Sequence, residues 1–456
     1  MKITIISPPF GEKGEKSDSL QMAPPILEYL ASLLYHINPD IEVELIDANR
    51  EDRAVNSIES DLIFFSTLTP QAPWVYKTAD AMRRLGKKVV IGGMHVTALP
   101  QEGNLHADAI VVGEAEGILK RLLEDASGNR LSQFYYGEKL PLEGLPQRRR
   151  GLLKNRYRFD SFFTARGCPY RCTFCSVRRF FGDTIRYRPI PEVVKEAALS
   201  PHRMLMNIDD NIWGININRS IELFKQLSAE AKGKWWFGQA DLVTVQHKKG
   251  DEMLKWVARS GLTTVMVGWE SNSLSSLEQY NAKTKQGKDR EGAIKKIRDN
   301  GIDVMLFIMV GARSENLDDY MQILEVCDRL DVSAHPVMLT PFPGTELYEE
   351  YENYLIPGKQ WDDFDGNTAL YYHDEPEMTP ENREQAVLWI RKELFTWPRI
   401  IRRLAKISLK GFPMSHLNSL MLQWAHRRAF HEYAKTHLKG FDMHKVLGKN
   451  IEGLAC

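Results

Sequence analysis

Over the first 125 residues, short apolar runs alternate with amphipathic helical patterns. The runs fall at 3–7, 43–47, 62–66, 89–92 and 109–112, and the helical patterns at 25–36, 73–85 and 116–125. Apolar strands separated by helices predict a parallel sheet covered on both faces, a doubly wound, Rossmann-like α/β domain over 1–125. Ligands of such sheets sit at the carboxyl ends of the strands. Those ends carry Ser7-Pro8-Pro9, Ser66-Thr67-Leu68-Thr69, Gly92-Gly93-Met94-His95 and Gly113-Glu114-Ala115-Glu116. Residues 126–155 hold Gly, Pro and Arg148-Arg149-Arg150 with little periodicity, and read as a linker with the arginines solvated. From Phe162 the alternation resumes, with strands ending at Arg166, Asp209, Gln239, Glu270, Val310 and Leu339 and helical patterns such as 289–300 and 317–330 between them. Six βα units over 156–350 fit a partial, TIM-like (β/α)6 barrel, whose chemistry lies at the strand carboxyl ends. Beyond 350, patterns such as 380–395 and 415–437 predict a mostly helical C-terminal region over 351–456.

Composition narrows the class. The 456 residues suit two or three domains. Lys plus Arg equals Asp plus Glu at 60 each, so net charge gives no reason to expect nucleic acid. The longest apolar run, near 304–310, is strand-sized and far short of the ~18 residues a membrane span needs. The N-terminus lacks the basic region and cleavage site of a signal peptide and reads as a first strand. Three of the five cysteines fall within eight residues, a metal-site spacing rather than a disulfide framework. A reducing, cytoplasmic location is expected.

That cysteine segment is Gly167-Cys168-Pro169-Tyr170-Arg171-Cys172-Thr173-Phe174-Cys175, a C-x3-C-x2-C pattern. Thiolates ligate the irons of Fe–S clusters, normally four per cubane. Three on one loop leave a fourth iron open for a substrate. Zinc is the alternative, but it prefers two spaced ligand pairs, and no second pair or His-x3-5-His follows.

The segment resembles the signature of the radical S-adenosylmethionine (SAM) superfamily, including Phe174 before the last cysteine. The resemblance implies a [4Fe–4S] cluster on Cys168, Cys172 and Cys175, with Phe174 near the SAM adenine. Later strands resemble the family's motifs in order. Asn207-Ile208-Asp209-Asp210 is similar to the segment whose acid meets the SAM amino group, and Gly238-Gln239-Ala240 to the third-strand segment. Gly268-Trp269-Glu270-Ser271 resembles the fourth-strand element, Met309-Val310-Gly311 the segment beside the adenine, and Thr340-Pro341-Phe342-Pro343-Gly344-Thr345 the closing turn. The implied SAM-binding residues are Phe174, Asp209, Asp210, Gln239, Glu270, Ser271 and Val310. A carboxylate suits the cationic SAM. Equally, Asp209 and Asp210 could cap a helix, and Glu270 could form a surface pair.

The first domain resembles the cobalamin-binding domain that precedes many radical SAM barrels. This implies a cobalamin site at Pro8, Thr67, Leu68, Thr69, Gln71, Gly92, Gly93, His95, Gly113 and Glu114, with the nucleotide tail beside the three glycines. Other cobalamin domains carry a D-x-H-x-x-G motif whose His coordinates cobalt. After the first strand here comes Phe10-Gly11-Glu12-Lys13-Gly14-Glu15-Lys16, without His, so the lower axial ligand is open; His95 is either that ligand or a polar loop residue. Tyr371-Tyr372 follows a stretch resembling the C-terminal segment of the branch with anaerobic tetrapyrrole cyclases and lipid methylases, and could line the substrate pocket. Cys327 and Cys456 read as bland.

From Arg391 onward the chain is rich in Lys and Arg, with Trp397, Ile400, Ile401, Leu404, Ile407 and Leu409 interleaved. Such a stretch either makes peripheral contact with an anionic membrane or is a solvated face. The reading reached is a cobalamin-dependent radical SAM enzyme that methylates an unactivated carbon of a small molecule, lipid or tetrapyrrole among the classes open. A donor such as flavodoxin or ferredoxin would supply electrons. Oxidative cyclisation or rearrangement on the same cofactors is the alternative, and a non-catalytic metal-binding protein is the alternative of another class. Methylthio transfer is disfavoured, because the first domain has no cysteines for a second cluster. Substrate and oligomeric state are not legible.

Overall fold

In this computed structural model, residues 1–9, 22–154, 157–438 and 440–447 are described. Phe10 to Lys16 and Cys456 therefore lie outside the described residues.

The N-terminal sheet is built from β1 (Lys2–Ser7), α1 (Pro25–Ile37), β2 (Glu42–Asp47), β3 (Leu62–Ser66), α2 (Ala72–Arg84), β4 (Lys88–Gly92), α3 (Met94–Ala98), α4 (Pro100–Asn104), β5 (Ala109–Val112), α5 (Leu119–Ser127) and β6 (Phe134–Tyr136). All six strands are parallel, in the order β2-β1-β3-β4-β5-β6. Successive side chains of a strand point to opposite faces, and here both faces are dry. Ile3, Ile5, Leu62, Phe64 and Val90 pack under Leu27 and Leu34 of α1 and Leu122 of α5. Their neighbours Ile6, Ile63, Phe65, Val89 and Ile91 pack under Val75, Ala79 and Met82 of α2. Burying each such side chain is worth about 1.5–3 kcal/mol, which is why these strands read as continuous apolar runs.

At the carboxyl edge of this sheet the loops after β3 and β4 touch. Thr67 N–H donates to Gly92 O at 2.9 Å, and His95 N–H to Thr67 O at 3.3 Å. Gly93 has φ +106°, and a Cβ there would lie 2.5 Å from Thr67 O. The fold itself therefore demands glycine at 93, whatever the site binds.

The segment 126–155 is not simply a linker. It holds β6, which adds to the sheet beside β5 with Ile110 opposite Phe134. Its arginines divide. Arg149 is exposed, its guanidinium 4.5 Å from the Tyr35 ring centre. Arg148 is buried, 2.8 Å from Asp160, and Arg150 lies 2.5 Å from the same carboxylate. Burial alone would raise the Asp160 pKa, but the two guanidinium charges outweigh it and hold the carboxyl below its usual value. The solvated reading failed at 148 and 150 because their partners, Asp160 and Glu196, come from beyond the segment.

Next come β7 (Asp160–Phe162), β8 (Ala165–Arg166), α6 (Val177–Phe181), β9 (Arg186–Tyr187), α7 (Ile190–Leu199) and β10 (Met204–Asn207). β7 and β10 pair in parallel. The first strand of this region was expected to run through Arg166; instead β8 breaks away to form an antiparallel ribbon with β9.

The chain forms two compact units. One comprises 1–210, 341–350 and 358–365; the other comprises 211–340, 351–357 and the described residues from 366 onward. The second unit holds α8 (Ile217–Glu230), β11 (Trp235–Ala240), α9 (Gly250–Arg259), β12 (Leu262–Glu270), α10 (Leu274–Gln279), α11 (Arg290–Asp299), β13 (Asp303–Val310), α12 (Leu317–Leu330) and β14 (Ser333–Met338). Its four strands pair in sequence order, all parallel. After α13 (Glu346–Tyr351) it adds α14 (Pro380–Leu394), α15 (Trp397–Ala405) and α16 (Ser415–His437). Among the described residues no helix is long and apolar enough to cross a membrane.

Asp160→Ala should strand two guanidinium groups with Glu196 as their remaining acid. A loss of about 3–5 kcal/mol is expected, read as a lower urea midpoint. Arg149→Ala, at an exposed cation–π contact, should cost about 1 kcal/mol or less.

Candidate active site

The cysteine loop leaves β8 at Arg166 and enters α6 after Ser176. It is pinned by its own backbone: Cys168 N–H donates to Gly182 O at 3.3 Å, Cys175 N–H to Cys172 O at 3.2 Å, and Leu347 N–H to Thr173 O at 3.0 Å. Cys172 is buried, while Cys168, Phe174 and Cys175 are half-buried. Among the described residues, no group of three or more His, Cys, Asp or Glu side chains is placed to hold one metal ion. A cubane asks for something different, since each thiolate takes its own iron. Three cysteines on one pinned loop are a donor set that suits such a cluster.

The two acids after β10 divide their work. Asp209 is buried and accepts from Thr164 N–H at 2.7 Å, Thr164 Oγ1–H at 2.5 Å and Ala165 N–H at 3.3 Å. It braces the backbone that leads into the cysteine loop. Asp210 instead lines a cavity of about 290 Å³, with Tyr29, Phe163, Arg166, Phe181 and Ile208. Burial, and the Asp209 charge beside it, push the Asp210 carboxyl up to about 7. A cation placed against Asp210 would reverse that shift.

A second cavity, about 160 Å³, opens at the carboxyl edge of the N-terminal sheet, lined by Ser66, Gly92, Gly93, Gly113, Glu114 and Glu116 among others. Tyr29, Arg166 and Phe181 line both cavities. Arg166 is held from the sheet side. Its Nη1 lies 2.8 Å from Glu114 and 2.6 Å from Glu116, and Glu114 also pairs with Arg186. Tyr29 donates its hydroxyl to Glu116. Two carboxylates facing two guanidinium groups leave the cluster neutral, as burial requires. Glu114 reaches this place because Gly137, just after β6, lets its backbone pass: a Cβ at 137 would lie 1.7 Å from Glu114 O.

Comparison with known proteins accords with this geometry. The B12 binding domain model matches residues 20–123 and the radical SAM superfamily model matches 162–327. The chain is a radical SAM enzyme with a B12 binding domain. It is 26% identical over 393 residues to the bacteriochlorophyllide d C-8(2)-methyltransferase of Chlorobaculum tepidum, covering 80% of this chain and 84% of the relative. It is 24% identical to the anaerobic magnesium-protoporphyrin IX monomethyl ester cyclase of Rubrivivax gelatinosus, covering 77% and 70%. It shares the fold of the radical SAM methyltransferase TsrM from Kitasatospora setae, solved with cobalamin and a [4Fe–4S] cluster, at a TM-score of 0.68 and 15% identity over 95% of this chain and 100% of that one. The cofactors of the radical SAM enzyme are a [4Fe–4S] cluster, SAM and cobalamin.

Not every expected cobalamin residue faces the sheet-edge cavity. Gly92, Gly93, Gly113 and Glu114 do. Pro8, Thr67, Thr69 and Gln71 are buried, and Leu68 is the exposed tip of their loop. Gln71 is spent on backbone, accepting from Leu68 N–H at 3.0 Å and donating its Nε2–H to Pro9 O at 3.4 Å. The His95 ring is fully buried: Nδ1 lies 3.3 Å from Thr69 Oγ1, Nε2 lies 3.2 Å from Glu102, and Tyr76 and Trp361 pack against it. It is a packing residue of its domain.

In the second unit, Gln239 is exposed at the end of β11. Glu270 ends β12 after a register shift at Gly268, and it is buried with φ +64°. That backbone costs a non-glycine residue roughly 1–3 kcal/mol and gathers at functional sites. Ser271 donates to Glu315 at 2.8 Å, and Gly311 N–H, next to buried Val310, donates to the same carboxylate at 2.9 Å. Burial pushes Glu315 up to about 7. Sequence reasoning missed this brace, since an acid before a helix looks like a cap. Tyr371 is fully buried with its hydroxyl on Gly311 O at 2.7 Å, so it is core rather than substrate wall; Tyr372 is exposed.

Replacing Cys168, Cys172 and Cys175 together with Ala should abolish the ~4 iron per chain of a cubane, while Cys327→Ala, at a buried helix position, should keep it; iron assay after anaerobic reconstitution decides. Arg166→Ala should leave Glu114 with Arg186 and Glu116 with the Tyr29 hydroxyl, and cost about 3–5 kcal/mol in chemical denaturation.

Proposed function

We propose that this radical SAM enzyme transfers a methyl group to an unactivated carbon of a small, largely apolar molecule, a tetrapyrrole or a lipid. The observation that carries the reading is the pair of cavities that share Arg166, the residue before the cysteine loop: one at the edge of the B12-type sheet, the other lined by Asp210. When bound, cobalamin carries the methyl group and the cluster delivers the electron that cleaves SAM. Cys168, Cys172 and Cys175 would hold three irons. Asp210 would face the SAM ammonium, and Phe174 on the cysteine loop would serve the same cofactor. Tyr29, Phe163 and Phe181 line the Asp210 cavity and would keep water from it. The first 125 residues contain no cysteine, so electrons would come from a separate donor such as flavodoxin or ferredoxin.

The similarity to a bacteriochlorophyllide methyltransferase favours methyl transfer. The similarity to an anaerobic cyclase keeps oxidative ring closure as the second reading. Stoichiometry separates them. Anaerobic turnover of a chlorophyllide-type tetrapyrrole should release S-adenosylhomocysteine and 5′-deoxyadenosine in equal amounts and move a deuterated methyl from SAM to product. Deoxyadenosine without S-adenosylhomocysteine would favour ring closure.

The role of Asp210 predicts a pH dependence. Its raised pKa means that the folded chain alone holds Asp210 protonated below about 7. A bound cation prefers the carboxylate, so binding there must expel a proton. SAM affinity should climb as pH rises from 6 to 8, by up to about tenfold per unit below the pKa. In Asp210→Asn it should be weak and flat, by anaerobic equilibrium dialysis.

We further propose that His95 would not ligate cobalt, since its ring is committed to Thr69 and Glu102. The Co(II) spectrum in electron paramagnetic resonance should then show no nitrogen splitting that depends on His95. Splitting lost in His95→Ala would reverse this assignment.

A further inference from the structure

Helix α16 is amphipathic in the wrong sense for a helix packed on a core. Over its first half, the inward face is polar. Ser415, Asn418, Ser419 and Gln423 are each at most 1% exposed. Asn418 donates to Thr263 at 2.6 Å, Ser419 donates to Asp303, and Gln423 accepts from Arg403 Nε–H at 2.9 Å. Its outward face is apolar. Leu417, Leu420, Met421 and Trp424 are 47%, 36%, 41% and 45% exposed, at the i, i+3, i+4, i+7 spacing of a single stripe. Nearby in the chain, Ile401 of α15 is 61% exposed and Leu409 of the connecting turn 90%. Soluble surfaces scatter apolar side chains singly; a contiguous stripe marks a contact.

The surrounding charge indicates what the stripe meets. Residues 394–431 hold seven Lys and Arg and no Asp or Glu. Asp328 and Asp331 of the same unit take up Arg399, Arg402 and Lys406, and Glu432 lies 3.3 Å from Arg428. Lys410 stands exposed beside Leu409. A second copy of the face would bring like charges together. An apolar stripe bordered by cations fits the interface of an anionic bilayer, with the apolar side chains among the acyl chains and the cations at the headgroups.

We propose that α16 and the turn before it dock this enzyme on an anionic membrane surface through Leu409, Leu417, Leu420, Met421 and Trp424. The docking is independent of which reaction the enzyme performs. The test uses the full-length holoenzyme and vesicles of phosphatidylcholine with about 30% phosphatidylglycerol. The enzyme should sediment with these at least about tenfold more strongly than with phosphatidylcholine alone, and salt should weaken the binding. Leu417→Ser, Leu420→Ser, Met421→Gln and Trp424→Gln together should reduce it about tenfold or more, with SAM cleavage in solution unchanged. Lys406→Glu with Lys410→Glu should weaken it while leaving the stripe intact. Three results would overturn the proposal: stripe variants that sediment like the parent, equal binding to neutral vesicles, or lipid-free self-association of the parent that the stripe variant loses, which would assign the face to a second copy.

Discussion

The buried pairing of Arg166 with Glu114 and Glu116 is the constraint on which the site depends. Arg166 immediately precedes the cysteine loop, and the two carboxylates follow the fifth strand of the B12-type sheet. A guanidinium in that position cannot be left alone, and neither can two buried carboxylates. Arg186, from the strand that pairs with β8, completes the neutral set. The cysteine loop is thereby fixed to the carboxyl edge of the sheet through charges that have no cheaper arrangement. Arg166 also stands as the common wall of the two cavities, so the group that joins the parts separates the spaces.

Elsewhere, too, neighbouring residues take different places. Asp209 gives its oxygens to Thr164 and Ala165, and this frees Asp210 to face a cavity with a pKa poised near neutrality. In the second unit, Ser271 and Gly311 share Glu315 as a brace, while Glu270 beside Ser271 is buried with φ +64°. His95 shows the opposite outcome: a strand-end histidine entirely absorbed by packing.

Much of this was legible in the sequence for physical reasons. Strands such as 62–66 are buried on both faces, so their apolar runs are unbroken, and the helical pattern at 317–330 matches α12 end to end. The cysteine spacing is local, so it survives without knowledge of the fold. What escaped depends on distant partners. β6 is only Phe134–Tyr136, too short to show a period, and it pairs as a strand because β5 lies beside it. Arg148 and Arg150 looked solvated because Asp160 and Glu196 bury them from outside the segment. Glu114 looked like a ligand contact, and it does line the cavity, yet its oxygens are committed to Arg166 and Arg186. The inverted polarity of α16 was hidden, because a helical period says which residues share a face but not which face is inside.

If the Arg166 pairing fixes the cysteine loop to the sheet edge, it also fixes the spacing of the two metal cofactors. Pulsed electron paramagnetic resonance of holoenzyme with Co(II) cobalamin and a reduced cluster reads that spacing as a spin–spin coupling. The account predicts one well-defined coupling in the parent, and a shifted or broadened one when Glu114→Gln and Glu116→Gln release Arg166 with iron and cobalamin contents unchanged. An identical coupling in that double variant would contradict it.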